Sequence, residues 1–192
     1  MLAVNISMLK SYDGHANEKC QVVSIFGTYV YPIHGTGYNT LLDEADMTFT
    51  DHELMACPTI TVLLRDPFER FKTSVHSYCE QHKKGIQEVY QKIKSGKLVD
   101  YSWLPQYVWL SHLNKHYRGP VHLKSFTEIN HITHRDQEQK YTQADVEPTD
   151  SIVKVDKHLM RHINKTVDLT ELVRRYKACL LYTSDAADEH SW

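Results

Sequence analysis

The feature that most constrains the fold is an uninterrupted apolar segment that leads directly into the start of a helix. Residues 59–64 (TITVLL) carry no charge and are rich in β-branched side chains, as is typical of a strand covered on both faces. Asp66 and Pro67 follow, with Glu69 three positions after the aspartate, and this spacing predicts a helix capped by Asp66. Apolar residues continue at helical spacing to about His82. A buried strand followed at once by an amphipathic helix predicts an α/β fold.

Strand and helix patterns alternate along the rest of the chain. Strands are predicted over residues 21–26 and 29–33, on either side of a turn at Gly27, and again over residues 121–126. Because helical patterns separate most of these segments, we expect a three-layer α/β sandwich with a mostly parallel central sheet. Residues 59–64 would form a central parallel strand beside residues 21–26 or 29–33. Further helices are predicted between Gly85 and Ser95, over residues 104–116 and 157–163, and from a capping box at Asp168 and Glu171, with residues 131–150 as a loop.

Composition limits the functions open to the chain. The 192 residues suffice for one domain, and 24 acidic against 22 basic side chains give a formal charge of −2, which argues against a nucleic-acid partner. The sequence contains no apolar run of about 18 residues, so no membrane segment is predicted. Four cysteines without a CxxC pair are typical of free thiols in a reducing compartment, and we expect a cytoplasmic protein.

The end of the sequence has a different character. Residues 179–189 (CLLYTSDAADE) resemble the in-frame translation of a sequencing-library adapter. We therefore expect residues 1–178 to form a single, incomplete domain, and residues 179–192 to be an artefactual tail that buries few apolar groups. An N-terminal anchor lost by truncation would change the expected localisation.

Residues 31–41 (YPIHGTGYNTL) join a predicted strand to a predicted helix through a loop with two glycines. Glycines let backbone N–H groups approach an anion, and the N-terminus of a helix adds a partial positive charge. The same pattern is common in plain strand–helix turns, so this segment alone predicts either a turn or an anion site. The candidate ligand-binding residues are Gly35, Thr36, Gly37, Tyr38, Asn39 and Thr40.

A second segment places an arginine at the carboxyl end of the buried strand. Arg65 follows that strand, and Thr73 and Ser74 lie about two turns along the next helix. A planar guanidinium suits bidentate phosphate binding, and a hydroxyl on the following helix could meet the same phosphate. We interpret Arg70 as structural and expect it to pair with an acid such as Asp66 or Glu69.

These two segments together resemble a known family. Residues 63–74 (LLRDPFERFKTS) are similar to the 3′-phosphate-binding motif of sulfotransferases that use 3′-phosphoadenosine 5′-phosphosulfate (PAPS), most closely the carbohydrate sulfotransferase branch. Residues 31–41 fall where that family has its 5′-phosphosulfate loop. Weaker similarities at residues 104–106, 123–126 and 162–166 extend the resemblance over about residues 20–178.

The resemblance implies a P-loop sulfotransferase-like fold and a transferase activity. A sulfuryl group would pass in line from PAPS, the nucleotide donor, to a hydroxyl of a carbohydrate-like acceptor, with no metal required. The resemblance also implies that nucleotide contacts come from residues 35–40 and from Arg65, Thr73 and Ser74. The candidate bases for the acceptor hydroxyl are His52, His76, Glu80 and His112, and the sequence does not choose among them. The candidate catalytic residues are His76, as such a base, and His34, as a cation beside the loop.

One position departs from the family pattern. The family's loop carries a lysine that bridges the sulfate and the 5′-phosphate, and the aligned residue here is Gly35. Either another basic group, such as a protonated His34, takes the place of that lysine, or the chain binds the nucleotide without turning it over. A basic side chain beside Gly35 would favour a sulfotransferase over a non-catalytic nucleotide-binding relative.

Other interpretations have less support. A different P-loop enzyme, such as a small-molecule kinase, would carry a Gly-x4-Gly-Lys-Ser/Thr motif, and this motif is absent. The pairs His112/His116 and His158/His162 have helical spacing, but no HExxH motif or cysteine pair accompanies them, so we expect no metal site. Three aromatic residues near a predicted helix start are interpreted as core residues rather than as a stacking platform: Trp103, Tyr107 and Trp109.

Overall fold

The computed structural model describes residues 21–98, 100–134, 146–148 and 150–176. The strands are β1 (Val22–Ile25), β2 (Thr28–Tyr31), β3 (Met47–Phe49), β4 (Ile60–Leu64), β5 (Pro120–Ser125) and β6 (Lys165–Asp168). The helices are α1 (Tyr38–Asp43), α2 (Pro67–His82), α3 (Ile86–Lys94), α4 (Gln106–His116), α5 (Ile129–Thr133), α6 (Asp150–Met160) and α7 (residues 169–176). Short 3-10 helices occupy Leu54–Ala56, Tyr101–Trp103 and Phe126–Glu128. The six strands form one sheet in the order β3-β1-β2-β4-β5-β6.

The sheet is mixed, so the expected α/β class is confirmed and the expected mostly parallel sheet is wrong. Among the described strands, β2–β4 and β4–β5 pair in parallel, whereas β1–β2, β1–β3 and β5–β6 pair antiparallel. The reversal between β1 and β2 has a local cause, because Phe26 and Gly27 form a two-residue turn with positive φ angles of 47° and 78°. The predicted central position of residues 59–64 is confirmed, since β4 lies between β2 and β5.

Apolar clusters cover both faces of the sheet. On one face, strand residues pack with Leu41 of α1 and Ile129 of α5. On the other face, strand residues pack with Leu110 of α4, Leu159 of α6 and Leu172 of α7. Strand β4 contributes to both clusters and is buried along its whole length. This double cover explains the uninterrupted apolar sequence of the strand.

The start of α2 follows the sequence prediction. The Asp66 side chain accepts hydrogen bonds from the backbone N–H groups of Phe68 (3.0 Å) and Glu69 (3.2 Å), and Pro67 occupies the first helical position. The end of α2 also lies where the apolar periodicity predicts it. Only Arg65 and Asp66 separate β4 from α2, so the strand end and the helix cap together fix the point at which the Arg65 side chain leaves the sheet.

Other boundaries differ from the predictions. The helix predicted over residues 157–163 instead spans Asp150–Met160. The edge strands β3 and β6 were not predicted, because they are short and largely exposed and so lack an alternating apolar pattern. The predicted loop over residues 131–150 lies partly outside the described residues, and the tail over residues 179–192 lies wholly outside them. In the described ranges, no helix has the length and apolar character needed to cross a membrane.

Candidate functional site

The carboxyl ends of the three parallel strands bring the candidate residues together. Arg65 follows β4 and is 7% exposed. Its Nη1 donates a hydrogen bond of 3.2 Å to the carbonyl oxygen of Gly35, in the loop that follows β2. Its guanidinium carbon lies 4.8 Å from the ring centre of Phe126, which follows β5. A basic side chain therefore lies against the candidate phosphosulfate loop, at the end of the sheet where open α/β proteins bind ligands.

Gly35 has both a backbone and a steric reason to be glycine. Its φ of +78° lies in the left-handed region, and a Cβ atom there would lie 2.6 Å from Ser74 Oγ and 2.9 Å from Arg70 Cγ. Any side chain at this position, lysine included, would therefore meet residues of the first two turns of α2.

The hydroxyl of Ser74 lies at the same point. Ser74 is 3% exposed, and its Oγ has no hydrogen-bond partner among the described residues. The neighbouring Thr73 Oγ1 is also buried and unpartnered within the described part of the chain. Gly35 accepts a hydrogen bond from Arg65, and a Cβ atom on it would meet the Ser74 hydroxyl, so the structure brings together the two elements that the sequence predicts.

The rest of the loop is held by its own packing. Thr36 is fully buried, and its hydroxyl donates a hydrogen bond of 2.7 Å to the Ile33 carbonyl. Gly37 has a φ of +79°, and a Cβ atom there would overlap Ile129 of α5. The remaining predicted residues form the first turn of α1, where Asn39 is exposed and Tyr38 and Thr40 are half-buried.

His34 lies beside the loop glycine in an aromatic stack. Its ring centre is 3.9 Å from that of Tyr38 and 5.2 Å from that of Trp109, with interplanar angles of 26° and 27°. Burial and, to a smaller degree, the Arg70 guanidinium lower the pKa of His34 from 6.5 to about 4, against an opposing effect of Asp100. The imidazole is therefore neutral at pH 7 and does not supply the cation that the family's lysine would provide.

The structure does not bring His76 to this loop. His76 is on α2, and its Nδ1 lies 3.4 Å from Glu80 Oε2 one turn further along, with both side chains largely exposed. His52 and Glu80 are exposed as well. His112 lies on α4, where its Nδ1 is 3.1 Å from the hydroxyl oxygen of Tyr31 at the end of β2.

Arg70 is structural, as expected, but its partners differ from the expected ones. Its guanidinium donates to three carbonyl oxygens, those of His34 (2.9 Å), Leu104 (2.6 Å) and Ser102 (3.1 Å). The expected pairing with Asp66 or Glu69 is therefore wrong. The side chain is 1% exposed, and burial lowers the pKa of Arg70 to about 10, which leaves it charged at neutral pH. Arg70 ties the loop after β2 to the segment that precedes α4.

Two buried residues complete the site and were not found by sequence reasoning. Gln106, at the start of α4, is bound to both the backbone N–H and the carbonyl of Arg65. Asp156, on α6, accepts hydrogen bonds from the backbone and the side chain of Gln106. The one available signal was Gln106 directly after a proline at a predicted helix start; nothing local marks Asp156.

The aromatic and histidine residues divide between core and site. Trp103 and Tyr107 are buried in apolar clusters, and Trp109 packs against one of these clusters and also stacks on His34, which agrees with the core interpretation. His116 lies 3.4 Å from Asp51, and His158 and His162 lie near the Tyr176 ring. Within the described residues, no group of three or more histidine, cysteine, aspartate or glutamate side chains is arranged to hold a metal ion.

Comparison of the chain with models of protein families, with curated proteins and with solved structures gives no significant match. The functional argument therefore rests on the residues themselves. The Arg65 guanidinium and the buried Ser74 hydroxyl both lie at Gly35, at the carboxyl ends of parallel strands, and both are groups that can donate hydrogen bonds to an anion.

Proposed function

We propose that this chain is a PAPS-dependent sulfotransferase, which transfers a sulfuryl group to a hydroxyl of a carbohydrate-like acceptor. The observation that carries the proposal is the Ser74 hydroxyl, which is buried and unpartnered within the described residues, beside a loop carbonyl bound by Arg65. A buried hydroxyl without a partner costs about 1–3 kcal/mol. A bound phosphate oxygen would remove that cost.

Arg65 and Ser74 are assigned to the 3′-phosphate of the nucleotide. A phosphate offers only acceptors, which matches a guanidinium and a hydroxyl, and the planar guanidinium can bind two of its oxygens. Thr73 is the second hydroxyl available on the same helix. The loop over residues 35–40 is assigned to the 5′-phosphosulfate end, so that two separate elements hold the two anionic ends of one nucleotide.

The proposed reaction is an in-line transfer. The acceptor oxygen forms a bond to sulfur while the bond from sulfur to the 5′-phosphate oxygen breaks, and the acceptor proton passes to a base. Positive charge near the departing phosphate favours this step, and the buried Arg70 guanidinium, bound to the His34 carbonyl, supplies such charge behind the loop. The low pKa of His34 makes its imidazole a weak proton acceptor, which argues against His34 as this base.

The test is calorimetric titration with adenosine 3′,5′-bisphosphate and, separately, with adenosine 5′-monophosphate. We expect Arg65→Ala to weaken bisphosphate binding about ten- to hundredfold, because a charge-assisted hydrogen bond contributes roughly 1.5–3 kcal/mol. Binding of the monophosphate should change little in the same variant. Arg118→Ala, an exposed arginine at the other end of β5, is the matched control. Equal loss for both nucleotides, or no bisphosphate binding by the wild-type chain, would contradict the assignment.

A second candidate is a non-catalytic nucleotide-binding relative of the same fold. The observation that favours it is Gly35, where contacts with Ser74 and Arg70 leave no room for a lysine. Both candidates bind the nucleotide, but only the sulfotransferase transfers its sulfuryl group. Incubation with PAPS and a panel of hydroxyl-bearing saccharides, followed by mass spectrometry, separates them, because only the transferase yields a sulfated product.

A further inference from the structure

A buried polar network links Arg65 to two other elements of the fold. Strand β4 ends its pairing with β5 at Leu64, so the backbone of Arg65 lies beyond the sheet ladder. Gln106 Oε1 accepts from the Arg65 backbone N–H at 2.9 Å, and Gln106 Nε2 donates to the Arg65 carbonyl at 2.9 Å. The side chain of Gln106 therefore supplies both hydrogen bonds that a neighbouring strand would otherwise provide.

Asp156 fixes the orientation of this amide. Its Oδ1 accepts from the backbone N–H of Gln106 at 2.8 Å, and its Oδ2 accepts from Gln106 Nε2 at 3.2 Å. If the amide were turned over, Nε2 would face the Arg65 N–H, and Oε1 would face both the Arg65 carbonyl and the carboxylate. All three hydrogen bonds of the side chain would then be lost, so the network permits one orientation.

We propose that Gln106 and Asp156 are positioning residues, which hold the backbone of Arg65 so that its guanidinium meets the Gly35 carbonyl. Both side chains are fully buried. Burial raises the pKa of Asp156 to about 6, and the Arg70 guanidinium and the hydrogen bonds from Gln106 oppose this rise. The significance of this positioning for nucleotide binding rests on the proposed function. The positioning itself is a property of the unliganded chain and can be tested without nucleotide.

Two near-isosteric variants break the network at different points. Gln106→Glu replaces the donor to the Arg65 carbonyl by a carboxylate oxygen, which faces both that carbonyl and the Asp156 carboxylate. Repulsion from these two acceptors should push the side chain away from the Arg65 N–H. Asp156→Asn presents an NH2 group to Gln106 Nε2, so one of the two amides must turn away. The matched control is Tyr117→Phe, which removes a buried hydrogen bond of 3.0 Å to the Cys57 carbonyl, away from Arg65.

Amide hydrogen exchange followed by NMR is the first readout. We expect exchange at the Arg65 amide to become at least tenfold faster in Gln106→Glu and Asp156→Asn, while the amide of Val62 in the same strand changes little. Tyr117→Phe should leave the ratio of the two exchange rates unchanged. A parallel rise at Arg65 and Val62 would show general destabilisation and would overturn the proposal. If Gln106→Glu does not fold, Asp156→Asn alone decides the outcome.

Nucleotide binding is the second readout. Asp156→Asn should weaken adenosine 3′,5′-bisphosphate binding at least fivefold, yet cause no further loss when combined with Arg65→Ala, because both changes act through one side chain. Additive losses would overturn the positioning role. If the wild-type chain does not bind the bisphosphate while the Arg65 amide still responds as described, the proposed function fails and the positioning of Arg65 stands.

Discussion

At the scale of single residues, the loop after β2 depends on a glycine that touches the helix behind it. Gly35 combines a left-handed φ with a close approach to Ser74, whereas Gly27 has the same φ of +78° and nothing within 4 Å of its would-be Cβ atom. The two positions therefore separate the conformational effect of adding a side chain from the steric one.

Gly35→Ala should lower the free energy of unfolding by about 2–4 kcal/mol, because the left-handed conformation and the overlap with Ser74 both oppose a Cβ atom. Gly27→Ala should cost only about 1–2 kcal/mol, the conformational part alone. Urea unfolding measures both. Adding Ser74→Ala should recover part of the Gly35→Ala loss, and a double variant no more stable than Gly35→Ala would contradict the contact.

The buried His34 makes the free energy of unfolding depend on pH. Its pKa in the fold, about 4, lies below its ordinary value of 6.5, so the native state binds fewer protons than the unfolded chain between these values. The stabilisation is therefore complete above pH 6.5 and is lost as the pH falls through 4, by up to about 3 kcal/mol. In His34→Gln, urea unfolding between pH 7 and 4 should show a flatter profile than wild type. A His34→Gln profile as steep as that of the wild type would contradict this prediction.

The residues of the site differ in how far the sequence predicts them. Arg65 and Ser74 belong to one strand–helix unit, and their local spacing predicts that they lie close enough to share a phosphate. Gln106 lies 41 positions from Arg65 in the sequence. Asp156 lies a further 50 positions from Gln106, through which it acts on Arg65. Such contacts depend on how helices pack on the sheet, and no local pattern encodes that packing.

At the scale of elements, α2 is the unit that holds the site, and its start depends on a side-chain cap. Asp66→Ala removes the acceptor for two backbone N–H groups and should lower the free energy of unfolding by about 1 kcal/mol, whereas Asp66→Asn should lower it less. Asp168→Ala, which removes the cap bond to Glu171 at the start of α7, provides a comparison. Urea unfolding of the three variants is the measurement, and equal losses in Asp66→Ala and Asp66→Asn would contradict the capping role.

The strands and helices also show why the sequence predicts only part of the sheet. The strand β4 and the helix α2 carry strong local signals, an apolar run and a capping box, and both are confirmed. The direction of β1 against β2 depends on a two-residue turn at Phe26 and Gly27, whose geometry outweighs the general expectation of parallel strands. The edge strands β3 and β6 pair through backbone groups and bury few side chains, so their sequences carry little strand pattern.

At the scale of the whole molecule, the two ends of the parallel strands differ in what they offer a ligand. At the carboxyl ends, the loop after β2, Arg65 and Phe126 meet, with helices α2 and α4 behind them. Toward the opposite end, at the start of β5, there is an open cavity of about 300 Å³. It is lined by Arg118, Gly119, Pro120, Thr166, Val167 and Asp168. A nucleotide should therefore protect one end of the sheet and leave the other unchanged.

A nucleotide bound at the carboxyl ends of the parallel strands should raise the unfolding temperature of the chain. At a free concentration of one hundred times Kd, adenosine 3′,5′-bisphosphate adds about 2.7 kcal/mol to the stability of the native state, which for a chain of this size raises Tm by about 5–11 °C. Arg65→Ala should lose most of this shift at the same ligand concentration. Arg118→Ala should keep it, because that arginine lines the opposite cavity. A thermal-shift titration of the three proteins is the measurement, and a full shift in Arg65→Ala combined with a lost shift in Arg118→Ala would move the nucleotide site to the other end of the sheet.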